Sequence, residues 1–94
     1  RESPALDIIH LLLDKGAVVD YHDPFIPELH TAGLNMSSER DLTSAVEKAD
    51  LVAIITNHTK VDYKMVYEKA QVIFDTRNAL KDIVTEEDIK VVKL

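Results

Sequence analysis

The sequence predicts an α/β fold: a parallel sheet flanked by helices in three layers, forming one domain over residues 1–94 and lacking its first strand. Three observations predict it. Apolar segments of strand character alternate with segments of helical period, in the order α-β-α-β-α-β-(α)-β. Such alternation argues for parallel strands joined by right-handed helical crossovers. The strand segments are unbroken apolar runs, as in Leu51-Val52-Ala53-Ile54-Ile55, and that pattern belongs to strands buried on both faces. The order also opens on a helix where domains of this class open on a strand. A strand ahead of Arg1 is therefore expected, and its loss would leave unpaired edges and an exposed apolar face.

Taken in order, Ser3 and Pro4 open a helix over residues 4–15. Ser3 can cap it, and the fixed φ and missing N–H of Pro4 suit the first helical position. Leu6, Ile9 and Leu13 share one face, which Ile8 and Leu12 widen, and Gly16 stops the helix. Residues 17–21, Ala-Val-Val-Asp-Tyr, read as a strand that ends at His22-Asp23-Pro24, since Pro24 has no N–H for a ladder. Residues 25–35 contain Pro27 and Gly33 and read as a loop with one helical turn at 28–32; Met36 falls in a brief extended piece. The second helix covers 41–49, with Leu42, Ala45, Val46 and Ala49 on one face. Residues 51–55 form a strand and Asn57-His58-Thr59 a turn. Asp62 caps a third helix whose core face is Tyr63, Val66, Tyr67 and Ala70. A strand at 72–74 and a short helix or turn at 78–83 follow. Thr85 with Asp88 makes a capping box with the shorter acid, placing a helical turn at 85–88, and 89–92 form the last strand.

Composition narrows the function. A chain of 94 residues has room for one small core. With no cysteine, disulfides, cysteine–zinc sites and a cysteine nucleophile are excluded within it. The four histidines, His10, His22, His30 and His58, have no paired metal spacing, so no metal site is expected. A net charge of −6 argues against nonspecific binding to a nucleic-acid backbone, which needs clustered Lys and Arg. No apolar run approaches the ~20 residues of a membrane span. Arg1-Glu2-Ser3-Pro4 is not the start of a signal peptide, and the expected location is cytoplasmic. The absence of an initiator methionine reads as a piece of a longer chain, with processing or trimming as the other readings.

In open α/β sheets, ligands bind beyond the carboxyl ends of the strands. Three polar segments hold that position: Tyr21-His22-Asp23-Pro24, Thr56-Asn57-His58-Thr59 and Asp75-Thr76-Arg77-Asn78. With a strand ahead of Arg1, Arg1-Glu2-Ser3 becomes a fourth. Two arginines, a helix start and several amides and hydroxyls on one edge suit an anion such as a nucleotide diphosphate. Each residue also has a plainer reading. Arg77 can pair with Asp75 or close its loop, Asn78 can be only a cap, Arg1 a frayed terminus, and His58 a turn hydrogen-bonder. Asp23 stands where dinucleotide folds place a ribose-binding acid, but no glycine-rich loop accompanies it, so a complete dinucleotide site is not expected.

Arg1-Glu2-Ser3-Pro4-Ala5-Leu6, Gly16-Ala17, Tyr21-His22-Asp23-Pro24, the apolar strand into Thr56-Asn57-His58, and Phe74-Asp75-Thr76-Arg77-Asn78 form an ordered set. In order and spacing this set resembles the C-terminal nucleotide-binding domain of the UDP-glucose/GDP-mannose dehydrogenase family, over about residues 1–83. The motifs are most similar to the UDP-N-acetylglucosamine 6-dehydrogenase branch. The resemblance implies a Rossmann-like domain that holds the nucleotide part of a UDP-sugar. It implies an N-terminal Rossmann domain that binds NAD, and oxidation of the sugar C6 alcohol to a carboxylate in the cleft between the two, often in a dimer. Carried over by position, Arg77 and Asn78 line the nucleotide-sugar side, Asp75 braces their loop, and Arg1 lies near the cofactor. No catalytic residue is carried over, because the family's cysteine and its lysine and acid partners lie outside these residues. The segment alone is therefore expected to be inactive, with a homodimer or swapped dimer as its assembly. The alternative is a stand-alone flavodoxin-like binding or regulatory module, which rests on fold class alone. A phosphorylatable receiver would need clustered acids at the first strand end, and none is evident.

Overall fold

The computed structural model describes residues 4–31, 33–84 and 90–93. The chain divides into two compact units, Arg1–Arg40 and Asp41–Leu94. The predicted cap Ser3, the turn at 85–88 and Ile89 lie outside the described residues.

In the first unit, helix α1 spans Pro4–Asp14 and buries Ile9. Its end is the one the sequence predicts. Gly16 takes a φ of +87°. The Ala17 N–H donates to the Leu12 carbonyl and the Gly16 N–H to the Leu13 carbonyl, each at 3.0 Å. That pair of bonds is a Schellman stop, which satisfies carbonyls the helix leaves open and needs a left-handed residue at the glycine.

The strand expected at 17–21 does not form. Among the described residues it joins no ladder, and Val18 is 94% exposed. Strand propensity describes how a side chain fits a pleated, half-buried surface, so an apolar β-branched run without a paired neighbour remains extended coil. The helical turn expected at 28–32 is also replaced. Strands β1 (Glu28–Leu29) and β2 (Met36–Ser37) pair antiparallel, with Glu28 opposite Ser37 and Leu29 opposite Met36. The Leu34 N–H donates to the Thr31 carbonyl at 2.9 Å, and Gly33 sits at φ +80°. A single helical turn fixes several dihedrals for one hydrogen bond, whereas the hairpin pairs backbone groups on both arms. Met36 does fall in the extended piece expected of it.

The second unit carries the parallel sheet. Helix α2 (Leu42–Lys48) is capped by Asp41, whose carboxylate accepts the Ser44 N–H at 3.0 Å. Helix α3 (Tyr63–Lys69) is capped by Asp62, which accepts the Met65 N–H at 3.2 Å. Two-turn helices are not stable alone in water; these persist because Val46 and Val66 are buried in a common core. Strands β3 (Val52–Ile54), β4 (Ile73–Asp75) and β5 (Val91–Lys93) lie side by side in that order, all parallel. Their register makes three rows: Val52, Ile73 and Val91; Ala53, Phe74 and Val92; Ile54, Asp75 and Lys93. Val52, Ile73 and Val91 of the first row and Ile54 and Asp75 of the last turn to the core, where Ile54, Ile73, Ala70 and Leu80 join the two helical valines, while Lys93 at the sheet's edge is exposed. Lys90 adds a clip, its ammonium 4.6 Å from the centre of the Tyr67 ring.

The α/β class, the parallel sheet and the flanking helices are as the sequence predicts. Burial of the sheet is less even than its apolar runs suggest. Ile54 and Ile73 are buried, while Leu51, Val72 and Val92 are 49%, 39% and 52% exposed. Within the short helix or turn expected at 78–83, residues 79–83 form consecutive turns, with Leu80 fully buried among them.

Candidate functional site

The site begins with an aspartate at the carboxyl end of a buried strand. Asp75 closes β4 on the core side and is only 1% exposed. A buried carboxylate needs donors, and the chain that follows supplies three. One oxygen accepts the backbone N–H groups of Arg77 and Ala79 at 3.1 and 3.0 Å; the other accepts that of Leu80 at 3.0 Å. The loop after β4 is thereby wrapped around one side chain. Between the two oxygens, Asp75 turns three of a carboxylate's roughly four accepting sites onto the backbone. Its carboxylate bonds the main chain of Arg77, and among the described residues no ion pair joins Asp75 to the Arg77 guanidinium.

Thr76 ties the loop to the next strand. Its N–H and its hydroxyl both donate to the Ile54 carbonyl, at 3.1 and 2.7 Å. Arg77 and Asn78 are left exposed above these anchors. Asn78 has a φ of +56°, the left-handed conformation that asparagine tolerates better than most residues. It is therefore not a helix cap; it is the residue at which the loop reverses. Asp75, Thr76, Arg77 and Asn78 line an open depression of about 530 Å³, together with Lys93 from the end of β5. This sits beyond the carboxyl ends of parallel strands, where the architecture leads one to look for a ligand.

The second predicted segment, at 56–59, is organised by Tyr63 at the start of α3. The Tyr63 hydroxyl accepts the His58 N–H at 2.8 Å and donates to the Thr56 carbonyl at 3.4 Å. Burial raises the Tyr63 pKa above its ordinary value of 10.0, the bond from His58 opposes that, and the negative charge of Asp75 adds to the rise. The hydroxyl thus stays protonated and able to donate at any physiological pH.

The third segment, Tyr21-His22-Asp23-Pro24, belongs to the first unit. The Tyr21 hydroxyl donates to the Ile26 carbonyl at 2.9 Å, and the Asp23 carboxylate accepts the Phe25 N–H at 2.8 Å. The His22 Nδ1 lies 2.7 Å from the Glu39 carbonyl, and the Ser38 hydroxyl accepts the Asp23 N–H at 2.9 Å. These bonds build a closed turn that folds back on β2. Arg1, expected near the cofactor, lies outside the described residues. Among the described residues no group of three or more His, Asp or Glu side chains converges as a metal ion would require, and no helix is long and apolar enough to cross a membrane.

Two site features escaped sequence reasoning. Tyr63 read as a core residue because its helical spacing matches Val66 and Tyr67; its ring does pack on the core, but its hydroxyl also holds the neighbouring loop. Lys93 was passed over, although it directly follows the predicted strand at 89–92. The strand-end rule applied to that last strand would have found it.

Comparison with curated protein sequences and with solved structures gave no match. Comparison with protein families gave one: residues 1–82 match the UDP-glucose/GDP-mannose dehydrogenase family, UDP binding domain. That match covers most of the chain, including the loop braced by Asp75, and the chain belongs to the UDP-glucose/GDP-mannose dehydrogenase family, as its UDP-binding domain.

Proposed function

We propose that this chain holds the nucleotide part of a UDP-sugar for an NAD-dependent 6-dehydrogenase, with UDP-N-acetylglucosamine as the sugar nucleotide. Arg77 and Asn78 contact the substrate. Asp75 presents them without touching it, because its own oxygens hold the loop backbone. NAD is bound mainly by an N-terminal Rossmann domain, with Arg1 beside it, and the protein works in the cytoplasm as a homodimer or swapped dimer. The observation that carries the proposal is the loop after β4: a buried carboxylate holds three backbone N–H groups of the loop, and a cation and an amide stand exposed on it at the sheet's carboxyl edge. A flexible arginine loses entropy on gripping a phosphate, and a pre-set loop reduces that loss.

The chemistry follows from positioning. Oxidation of a C6 alcohol to a carboxylate removes two hydrides in sequence, one to each of two NAD molecules, and takes the second carboxylate oxygen from water; NAD supplies the hydride acceptor when bound. This chain's contribution is to fix the nucleotide end so that C6 is presented to reactive groups elsewhere. The isolated 94-residue chain is accordingly inactive. The test is NADH formation by a chain that joins these residues to an N-terminal NAD domain, with UDP-N-acetylglucosamine and related UDP-sugars as substrates. Turnover with the first is expected, and no turnover with any of them sinks the proposal. In the same enzyme Arg77→Ala is expected to raise KM and lower kcat/KM by ~10-fold or more, the size of a lost charge-assisted contact. An unchanged KM would refute the role of Arg77.

A further inference from the structure

Among the described residues two cations line the depression at the carboxyl edge of the sheet, and one of them comes from the matched residues. Arg77 lies within residues 1–82, while Lys93 lies eleven residues beyond them. The register of the sheet puts Lys93 directly beside Asp75, in the last row of the ladder. Side-chain direction alternates along a strand, so Lys93 and Asp75 emerge on the same face of the sheet. Both line the depression with Thr76, Arg77 and Asn78. Among the described residues neither Arg77 nor Lys93 takes part in a salt bridge. Among the described residues the one carboxylate in the lining, that of Asp75, is buried and turned onto three backbone N–H groups. Among the described residues two exposed cations therefore face one opening, against a single inward-turned anion.

We infer that Lys93 is a second phosphate-binding residue, so that Arg77 and Lys93 together grip a diphosphate and the site distinguishes a nucleoside diphosphate from a monophosphate. The inference deepens the UDP-sugar reading of this site and rests on it. The two side chains suit different parts of the task. An arginine offers a planar fork that fits two oxygens of one phosphate, whereas a lysine offers a compact point charge that follows a second phosphate as it moves. They also stand on different supports. Arg77 rides on the loop braced by Asp75, and Lys93 on a strand hydrogen-bonded in the sheet. A ligand spanning both would tie the end of β5 to the loop after β4. A monophosphate can satisfy one cation but does not need both, and this makes Lys93 the discriminating residue.

The experiment measures binding of UDP, UMP and inorganic pyrophosphate to the 94-residue chain, followed by amide chemical shifts of residues 76–78 and by calorimetry. For this experiment a short Gly-Ser tail is added after Leu94, so that the terminal carboxylate is moved away from Lys93 in the chain. Lys93→Gln is expected to weaken UDP and pyrophosphate by ~5- to 10-fold and to leave UMP within ~2-fold, as loss of one charge-assisted contact at an open site predicts. Lys93→Arg keeps the charge and is expected to retain UDP binding within ~3-fold. Lys93 is exposed, so neither variant threatens the fold, and a circular-dichroism melt checks this. If UDP shifts the amides of 76–78 but Lys93→Gln binds it as tightly as the parent, the lysine's role is overturned and the substrate site stands. An equal loss for UMP and UDP also overturns it, since a general positive field would then account for the effect. Should UDP fail to bind, or shift only residues elsewhere, both the two-cation grip and the substrate reading of this loop fall.

Discussion

Asp75 shows how one residue can be read correctly in kind and still be decided by its neighbours. An aspartate after an apolar strand reads as a strand-end acid. The structure makes it the hub of a loop, because the chain turns back and aims three N–H groups at it. Removing the carboxylate leaves the buried Leu80 donor and the part-buried Arg77 and Ala79 donors without this partner. Asp75→Ala is therefore expected to destabilise the chain by roughly 3 kcal/mol or more, at about 1–3 kcal/mol for each stranded donor before relaxation. Asp75→Asn keeps one oxygen and turns an amide N–H₂ toward a backbone N–H, so its loss should be smaller but clear. Urea unfolding followed by circular dichroism measures both, and an Asp75→Ala midpoint equal to the parent's would show that the loop holds without it. Tyr63 is the parallel case. Tyr63→Phe keeps the packed ring and removes the hydroxyl that joins His58 to Thr56. It should cost about 1 kcal/mol and increase hydrogen exchange at the His58 amide, with little change in α3 itself.

At the scale of elements, the hairpin of β1 and β2 carries a pH dependence of its own. The His30 Nε2 lies 2.6 Å from a Glu28 carboxylate oxygen. That bond, helped by Asn35 and by the charge of Glu28 and only partly opposed by desolvation, raises the histidine's pKa above 6.5. A raised folded-state pKa means that the hairpin is stabilised while His30 is protonated. The contribution is complete below the unfolded value near 6.5 and is lost as pH rises through the raised folded value. Amide exchange at Leu29 and Met36 should therefore be slower at pH 5.5 than at pH 8, after correction for intrinsic rates, and Glu28→Gln should abolish the difference. Both side chains are exposed, so the effect is local to the hairpin. The helices are governed differently. Asp62→Ala removes the cap of α3, and a loss of about 1 kcal/mol is expected, visible as a lower urea midpoint with an unchanged slope. This cap was legible because an Asp ahead of a helical apolar period has one common use. The hairpin was not, because two-residue strands have no period to read and their existence depends on Gly33 reversing the chain.

For the whole molecule, the uneven burial of the sheet bears on the proposed dimer. Leu51, Val72 and Val92 are exposed to a degree unusual for apolar residues on a parallel sheet. Sedimentation of the 94-residue chain is expected to show reversible dimerisation at high concentration, and a clean monomer would count against the assembly. The expectation of a strand at 17–21 shows why such questions are hard to settle from pattern. The run Ala-Val-Val-Asp-Tyr has the composition of a strand, yet Val18 stands almost fully exposed because pairing is a property of neighbours and not of a segment. Family membership, by contrast, was carried by short ordered motifs, which survive whatever the local pairing does.

By itself the sequence determined the α/β class, helices α2 and α3 with the Asp62 cap of the latter, the glycine stop of α1 and the polar loop after β4. These depend on local chemistry: the period of apolar residues, the side chain at a helix start, the freedom of a glycine, the polarity at a strand end. Only the tertiary structure decided that residues 17–21 join no ladder, that Tyr63 holds a loop, that Asp75 faces inward and Arg77 outward, and that Lys93 stands beside them. Each of those is settled by which groups meet across a distance in the chain: register places Lys93 next to Asp75, and burial obliges Asp75 to find its partners in the backbone.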